Sequence, residues 1–261
     1  MSVSPDVGGR VRSQPKRTMS AELTSPKIVA RAAGSLYLFA SLCFVVAMMV
    51  RSGIIKASDA ASAASNIRSS AFTFRASLAA DLVSAAIFLL AGLALYVLLQ
   101  HVHRLAAAVM VILVAVQIGV LYLNELNLYP ALAIATNARY TRAFGSDASS
   151  AMVMLSLDTY RKGLVIAELF FGLWLVPLAY LVLKSGQFPL LVGVLLIVAA
   201  LDWIGQFFVD LLAPGLPYEA VVGQIGGAGE FVFVAWLLIF GIRPRRAAAR
   251  EPVIVRSLGG G

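Results

Sequence analysis

Six carboxylates stand within or at the edges of otherwise apolar runs of this 261-residue chain: Asp81, Glu125, Glu168, Asp202, Asp210 and Glu230. A charged side chain at the centre of a helix in lipid costs about 2.5 kcal/mol or more, so such residues are candidates for function. Left without a partner, a buried carboxylate should take up a proton or bind a cation. Asp202, Gln206 and Asp210 recur at i, i+4 and i+8, which sets them along one helix face. Gln117 stands at a similar depth in its own apolar run. The candidate ligand or proton site is therefore Asp202, Gln206, Glu230, Glu168, Asp81 and Gln117, with Asp202 and Glu230 expected to face one another. Two structural readings compete. Asp81 and Glu168 are shallow enough to cap helix N-termini or to pair with Arg75 and Arg161. Asp202 and Glu230 could be neutral hydrogen-bonding glue between helices.

Other chemistry finds little support. His101 and His103 are two apart with no third ligand nearby, too few for a metal site. The single cysteine, Cys43, provides neither a disulfide nor a thiolate cluster and reads as packing. Gly-x-Ser-x-Gly, His-Glu-x-x-His and Gly-Lys-Ser/Thr patterns are absent, and Ser35 and Ser41 have no histidine at their depth. No catalytic residue, metal or cofactor is expected. Arg31 reads as an interfacial anchor. Gly223 and Gly227 fit small-xxx-small packing.

The elements that must position the carboxylates follow from composition. The chain is 60% hydrophobic and only 13% charged, with a mean hydropathy of +0.88. A soluble domain carries about 25% charged residues, and its surface must be wetted. Crossing a bilayer takes about 20 apolar residues. Six runs qualify: 28–50, 77–99, 105–126, 163–183, 190–212 and 220–242, the last weakened by four glycines between Val222 and Gly229. The runs are continuous and rich in Leu, Ala and Val, unlike the alternating ten-residue segments of a β-barrel. The expected fold is all-α: a polytopic transmembrane bundle of about six spans. Its membrane domain covers 28–242, between basic disordered tails at 1–27 and 243–261. The first apolar run is too long for a signal peptide and is expected to stay in the protein.

Lys and Arg number six in the N-terminal tail with the start of span one and five in the C-terminal tail. With an even number of spans both tails share a side, and the bias, thirteen positive charges against eight, makes it the cytoplasm. The net charge of +8 then sits beside the membrane, where anionic lipids are the expected partners of the tails. Neither tail interleaves aromatics with its basic residues, so nucleic acid is not an expected partner. The first connection has Ser58 as a plausible N-cap, and Ala60, Ala64, Ile67, Ala71 and Phe74 at helical spacing. The third begins with Tyr129-Pro130, which should end or kink the incoming helix. Beyond Asp147 it carries the stripe Ala148, Met152, Leu155 and Thr159. Two short outer interfacial helices are expected. Arg51, Lys56, Arg68, Arg139 and Arg142 fall in these connections, and no cation falls within the hydrocarbon runs. All six carboxylates then lie from mid-membrane outward, and any polar pocket opens away from the cytoplasm.

Three stretches carry a resemblance. Arg31-Ala32-Ala33-Gly34-Ser35-Leu36-Tyr37 opens span one. The stretch Tyr160 to Gln206 contains Phe170-Phe171-Gly172 and Lys184-Ser185-Gly186-Gln187-Phe188-Pro189. Gly229-Glu230-Phe231 to Trp236 closes the domain. In order and spacing they resemble the bacterial multi-pass membrane family catalogued as domain of unknown function 4386, over roughly Lys27 to Arg243. The resemblance implies a six-span protein of the cell envelope with no assigned activity. Family members often carry a histidine in span four, where this chain has Trp174 and Val176.

The leading expectation is a non-enzymatic protein of the cell membrane that binds a small ligand, lipid or partner in an outward acidic pocket. A small proton-coupled transporter is the alternative, on the mid-membrane carboxylates and the glycine-broken start of span six. An intramembrane enzyme using paired carboxyls ranks below both.

Overall fold

The computed structural model describes residues 25–56, 59–214, 216 and 225–242. Most of the expected tails, Ser58, Gly223 and the first residues of the sixth apolar run lie outside the described residues. Every regular element among those described is an α-helix.

The first helix, α1 (Pro26–Ile55), starts with Pro26 in its first turn, where a missing N–H costs nothing. Pro26 and Lys27 thus belong to the helix and not to the tail. It runs five residues past Val50, because Ile55 is drawn into a packed cluster at that end of the bundle. Arg51 is therefore a helix residue and not part of a connection. The short α2 (Ala60–Ser69) is capped by Asp59, which accepts a hydrogen bond from Ser62 N at 2.8 Å. Then come α3 (Ala71–Leu99) and α4 (Arg104–Glu125). His103 caps α4, Nδ1 accepting from Ala106 N at 3.1 Å.

Two prolines break the next helices in the same way. Pro130 sits in the first turn of α5 (Leu128–Thr136) and cannot donate to the Leu126 carbonyl, and the axis breaks at Leu126–Asn127. After α6 (Ala138–Phe144), α7 (Ser146–Leu173) is continuous, so the stripe beyond Asp147 belongs to a spanning helix. Pro177 cannot donate to the Leu173 carbonyl, and α7 gives way to α8 (Leu175–Ser185) at Trp174. The flanking bonds there, Trp174 N to Phe170 O and Leu178 N to Trp174 O, are stretched to 3.3 and 3.5 Å. Gly186 ends α8 at φ +63°, a conformation that suits glycine. The chain closes with α9 (Leu190–Leu212) and α10 (Ile225–Ile239).

Consecutive long helices are neighbours: α1 packs on α3, α3 on α4, α4 on α7, α7 on α9, α9 on α10, and α10 returns to α1. The closure depends on glycine. A Cβ at Gly229 would stand 2.6 Å from the Leu195 carbonyl oxygen on α9, and one at Gly34 would stand 2.9 Å from Leu237 Cβ on α10. The main core joins Tyr37, Leu95, Met110, Trp174, Leu178, Leu196 and Phe233 across the ring. A second cluster of Ile55, Ile67, Phe74, Leu128, Val153 and Leu157 lies at one end, where α2, α5 and the first half of α7 pack together.

Large apolar side chains also cover the exterior, among them Phe39, Met49, Leu90, Ile112, Leu123, Leu201 and Leu212. A water-exposed helix carries polar residues on that face. Five helical stretches are long and apolar enough to cross a membrane: Pro26–Ile55, Ala71–Leu99, Arg104–Thr136, Ser146–Ser185 and Leu190–Leu212. A sixth apolar helix, Gly227–Ile239, is shorter in its described part. The chain is a multi-pass membrane protein with an all-α bundle fold.

Candidate functional site

The ring encloses a cavity of about 350 Å³. Each long helix turns one stripe toward it at helical spacing: Tyr37, Ser41, Phe44 and Met48 from α1; Asp81, Ala85 and Phe88 from α3; Gln117, Leu121 and Glu125 from α4. Glu168 and Phe171 come from α7, Trp174 from the bend, Trp203 from α9, and Gly227, Glu230 and Val234 from α10. Along α1 the lining spans eleven residues, about 16 Å of rise. The walls are mainly apolar, and the polar groups gather at two levels.

At one level is Glu230. Its Oε1 accepts from Trp203 Nε1 at 2.8 Å, and its Oε2 accepts from the Tyr37 hydroxyl. The surrounding rings pack edge to face or tilted. Tyr37, Phe88 and Trp174 form a triangle with centroids 5.0, 5.4 and 5.8 Å apart, and Phe171 meets Trp203 at 5.2 Å. The bend at Pro177 is what turns the Trp174 ring into this group.

The other level is polar and charged. Arg51 Nη2 pairs with Asp81 Oδ2 at 2.6 Å and donates to the Tyr160 hydroxyl at 2.7 Å, with the guanidinium carbon 5.0 Å from the Tyr160 ring centroid. Side chains on a helix lean toward its N-terminus, which points Arg51 back into the bundle rather than out of its end. Glu125 is buried and lines the cavity with Asp81. One guanidinium thus stands at a level that carries two carboxyls, Asp81 and Glu125. Asn124 Nδ2 donates to the Tyr160 carbonyl at 3.0 Å and so holds α7 against α4. Gly163 makes room, since a Cβ there would stand 1.8 Å from Asn124 Oδ1.

The structure brings Asp81, Gln117, Glu168 and Glu230 to one cavity. Asp202 and Gln206 are buried but do not line it. Successive helix residues are turned by about 100°, so α9 gives the cavity Trp203 and turns its neighbour Asp202 aside. Glu230 is accordingly met by Trp203 and Tyr37 rather than by Asp202. Gln206 Nε2 donates along its own helix to Asp210 Oδ2 at 2.9 Å. Asp81 and Glu168 are interior residues of α3 and α7, because both helices start well before the apolar runs, so neither is an N-cap. Asp81 pairs with Arg51 and not Arg75, while Arg161 pairs with exposed Asp158 at 2.7 Å. Sequence reasoning places Arg51 in a connection, outside the site, and does not single out the side chains of Tyr160, Tyr37 or Trp203. The signal for Arg51 was available, because Ile54 and Ile55 continue its helix and Asp81 needs a cation.

A family profile described as "Domain of unknown function (DUF4386)" matches residues 32–241. The chain is also similar to an uncharacterized protein of Archaeoglobus fulgidus, 33% identical over 85 residues, which cover 33% of this chain and 50% of the relative. The chain thus spans about half the length of that curated relative. No solved structure matches.

Proposed function

Because the chain belongs to the family described as a domain of unknown function (DUF4386), its role must be argued from its own cavity, and we propose that it is a non-enzymatic membrane protein that binds a small, elongated, mainly apolar ligand within the bundle. The observation that carries this reading is a cavity of about 350 Å³ to which all six apolar helical stretches contribute. Ligand sites are commonly concave, mostly apolar and equipped with a few placed polar groups. Val45 and Met48 on α1 and Phe231 on the adjacent α10 line the cavity and are each more than a third exposed. That side is the route of access from lipid. The basic tails favour a cell-membrane location with both termini in the cytoplasm and anionic lipids around them. The Asp81 and Glu125 end then faces away from the cytoplasm.

The test uses the tryptophans. Of the three, Trp174 and Trp203 line the cavity and Trp236 does not. Purified protein in nanodiscs is titrated with 11-bromoundecan-1-ol, whose bromine quenches tryptophan on contact. Saturable quenching is expected, lost when Ala85→Phe fills the cavity and lost in a Trp174→Phe/Trp203→Phe variant that keeps only Trp236. Non-saturable quenching equal in all three proteins would refute the reading. A proton-coupled permease is the second reading, favoured by the carboxyl pair facing Arg51. It requires that Asp81→Asn abolish proton movement driven by a solute gradient in proteoliposomes.

A further inference from the structure

We propose that the Glu230 level of the cavity is an ammonium subsite, so that the ligand is a cationic amphiphile whose head sits among aromatic rings and whose chain extends toward Asp81; this rests on the binding role proposed above.

Three observations support it. First, Glu230 is a carboxylate served by neutral donors only: a phenol and an indole N–H occupy its two oxygens, and no described cation pairs with it. Neither donor carries a charge, so an ammonium entering beside Glu230 would meet no competing cation there. Second, Tyr37, Phe88, Phe171, Trp174 and Trp203 bring five rings to the lining around that carboxylate. An aromatic box beside a carboxylate is the recurring chemistry for holding organic ammonium groups, because ring faces attract a cation that sheds little water. Third, the cavity as a whole is electrically one-sided. Asp81, Glu125, Glu168 and Glu230 line it with no Lys or Arg among the lining residues, and the buried Arg51 is already engaged by Asp81. Gln117 adds an acceptor: it is 5% exposed, its Oε1 has no hydrogen-bond partner among the described residues, and it stands eight residues from Glu125, about 12 Å toward the Phe88 level.

The same asymmetry selects the ligand class. A zwitterionic headgroup brings a phosphate with its ammonium, and no free cation near Glu230 would receive it. A fatty acid would set its carboxylate against Glu230. A simple long-chain ammonium meets neither penalty, and its chain would run along the wall from Phe88 to Asp81, seven residues or about 10 Å on α3.

The experiment displaces the bromo-alcohol from wild-type protein in nanodiscs with decyltrimethylammonium, 1-decanol or decanoate, each corrected for its partition into the discs. The ammonium should displace at least about tenfold more effectively than the alcohol, with decanoate weakest. In Glu230→Gln that preference should collapse toward unity. Should this variant not fold, Phe171→Leu removes one ring while leaving the carboxylate, and should lower the preference several-fold. Equal displacement by ammonium and alcohol, or strongest displacement by decanoate, overturns the ammonium subsite while leaving a cavity that binds. Absence of saturable bromo-alcohol quenching overturns the binding role itself. A tenfold loss of ammonium affinity in phosphatidylcholine relative to phosphatidylglycerol discs would assign the site to a lipid headgroup and overturn the cationic amphiphile.

Discussion

Replacing Arg51 by leucine removes the one described cation buried within the bundle. Arg51 is 1% exposed and holds Asp81 at 2.6 Å and the Tyr160 hydroxyl at 2.7 Å. Asp81 and Glu125, each 5% exposed, would then face one another without a counter-charge. Breaking a buried pair by removing one partner costs about 3–5 kcal/mol, roughly a 150- to 5,000-fold change in the unfolding equilibrium. Arg51→Lys keeps the charge but loses the stacking on Tyr160 and the placement of Nη2 between Asp81 and the Tyr160 hydroxyl, and should fall between. The assay is equilibrium unfolding in mixed micelles of rising sodium dodecyl sulfate fraction, followed by far-ultraviolet circular dichroism. Arg51→Leu, Asp81→Leu and the double variant complete a cycle. The double variant should be less destabilised than the sum of the singles by about 1–3 kcal/mol. A cost under about 1 kcal/mol for Arg51→Leu, or additivity within error, would show that the cluster carries no interaction energy and that its geometry has been misjudged.

Gly229→Leu drives a side chain against the Leu195 carbonyl and should destabilise by about 1–3 kcal/mol in the same assay; Gly119→Ala, with nothing within 4 Å of its would-be Cβ, should change stability by less than about 1 kcal/mol. Gly163→Ala meets Asn124 Oδ1 and should lower stability by about 1–3 kcal/mol, with part of the loss recovered by adding Asn124→Ala, which removes the clashing group. In a Cys43→Ser background, Ser20→Cys and Ala248→Cys should both resist an impermeant maleimide in intact cells and react after lysis. Labelling of either one in intact cells would reverse the proposed orientation.

The bundle was legible because a bilayer-spanning helix advertises itself by composition alone, and the runs around Leu90, Ile112 and Leu196 are uninterrupted. The partners inside it were less so. Carboxylates in an apolar run attract notice by type, which is how Asp81, Glu168 and Glu230 were found, but type does not give azimuth. Asp202 and Trp203 are adjacent, and only the rotation of α9 decides which faces the cavity. Tyr37 and Trp203 blend into apolar runs because aromatic rings are ordinary there, yet they bear the hydrogens that hold Glu230. Arg51 lies just past the apolar run 28–50, which composition ends before it, and only the tertiary packing of Ile55 carries the helix on. The breaks at Leu126 and Trp174 follow from Pro130 and Pro177, but their effect on ring placement depends on what each helix packs against.

The ring has a seam, and the seam joins the two ends of the chain. Tyr37 and Glu230 are separated by 193 residues, so their hydrogen bond waits for nearly the whole protein to be made. At ordinary ribosome speed that interval is about 10–40 s. Once α3 is made, α1 can pack beside it while its other flank waits for α10, and what will be a cavity is still a groove open to lipid. A hydrophobic molecule lodged there would be covered on that side when α10 arrives, so under the proposed binding role the first opportunity to enter precedes closure of the ring.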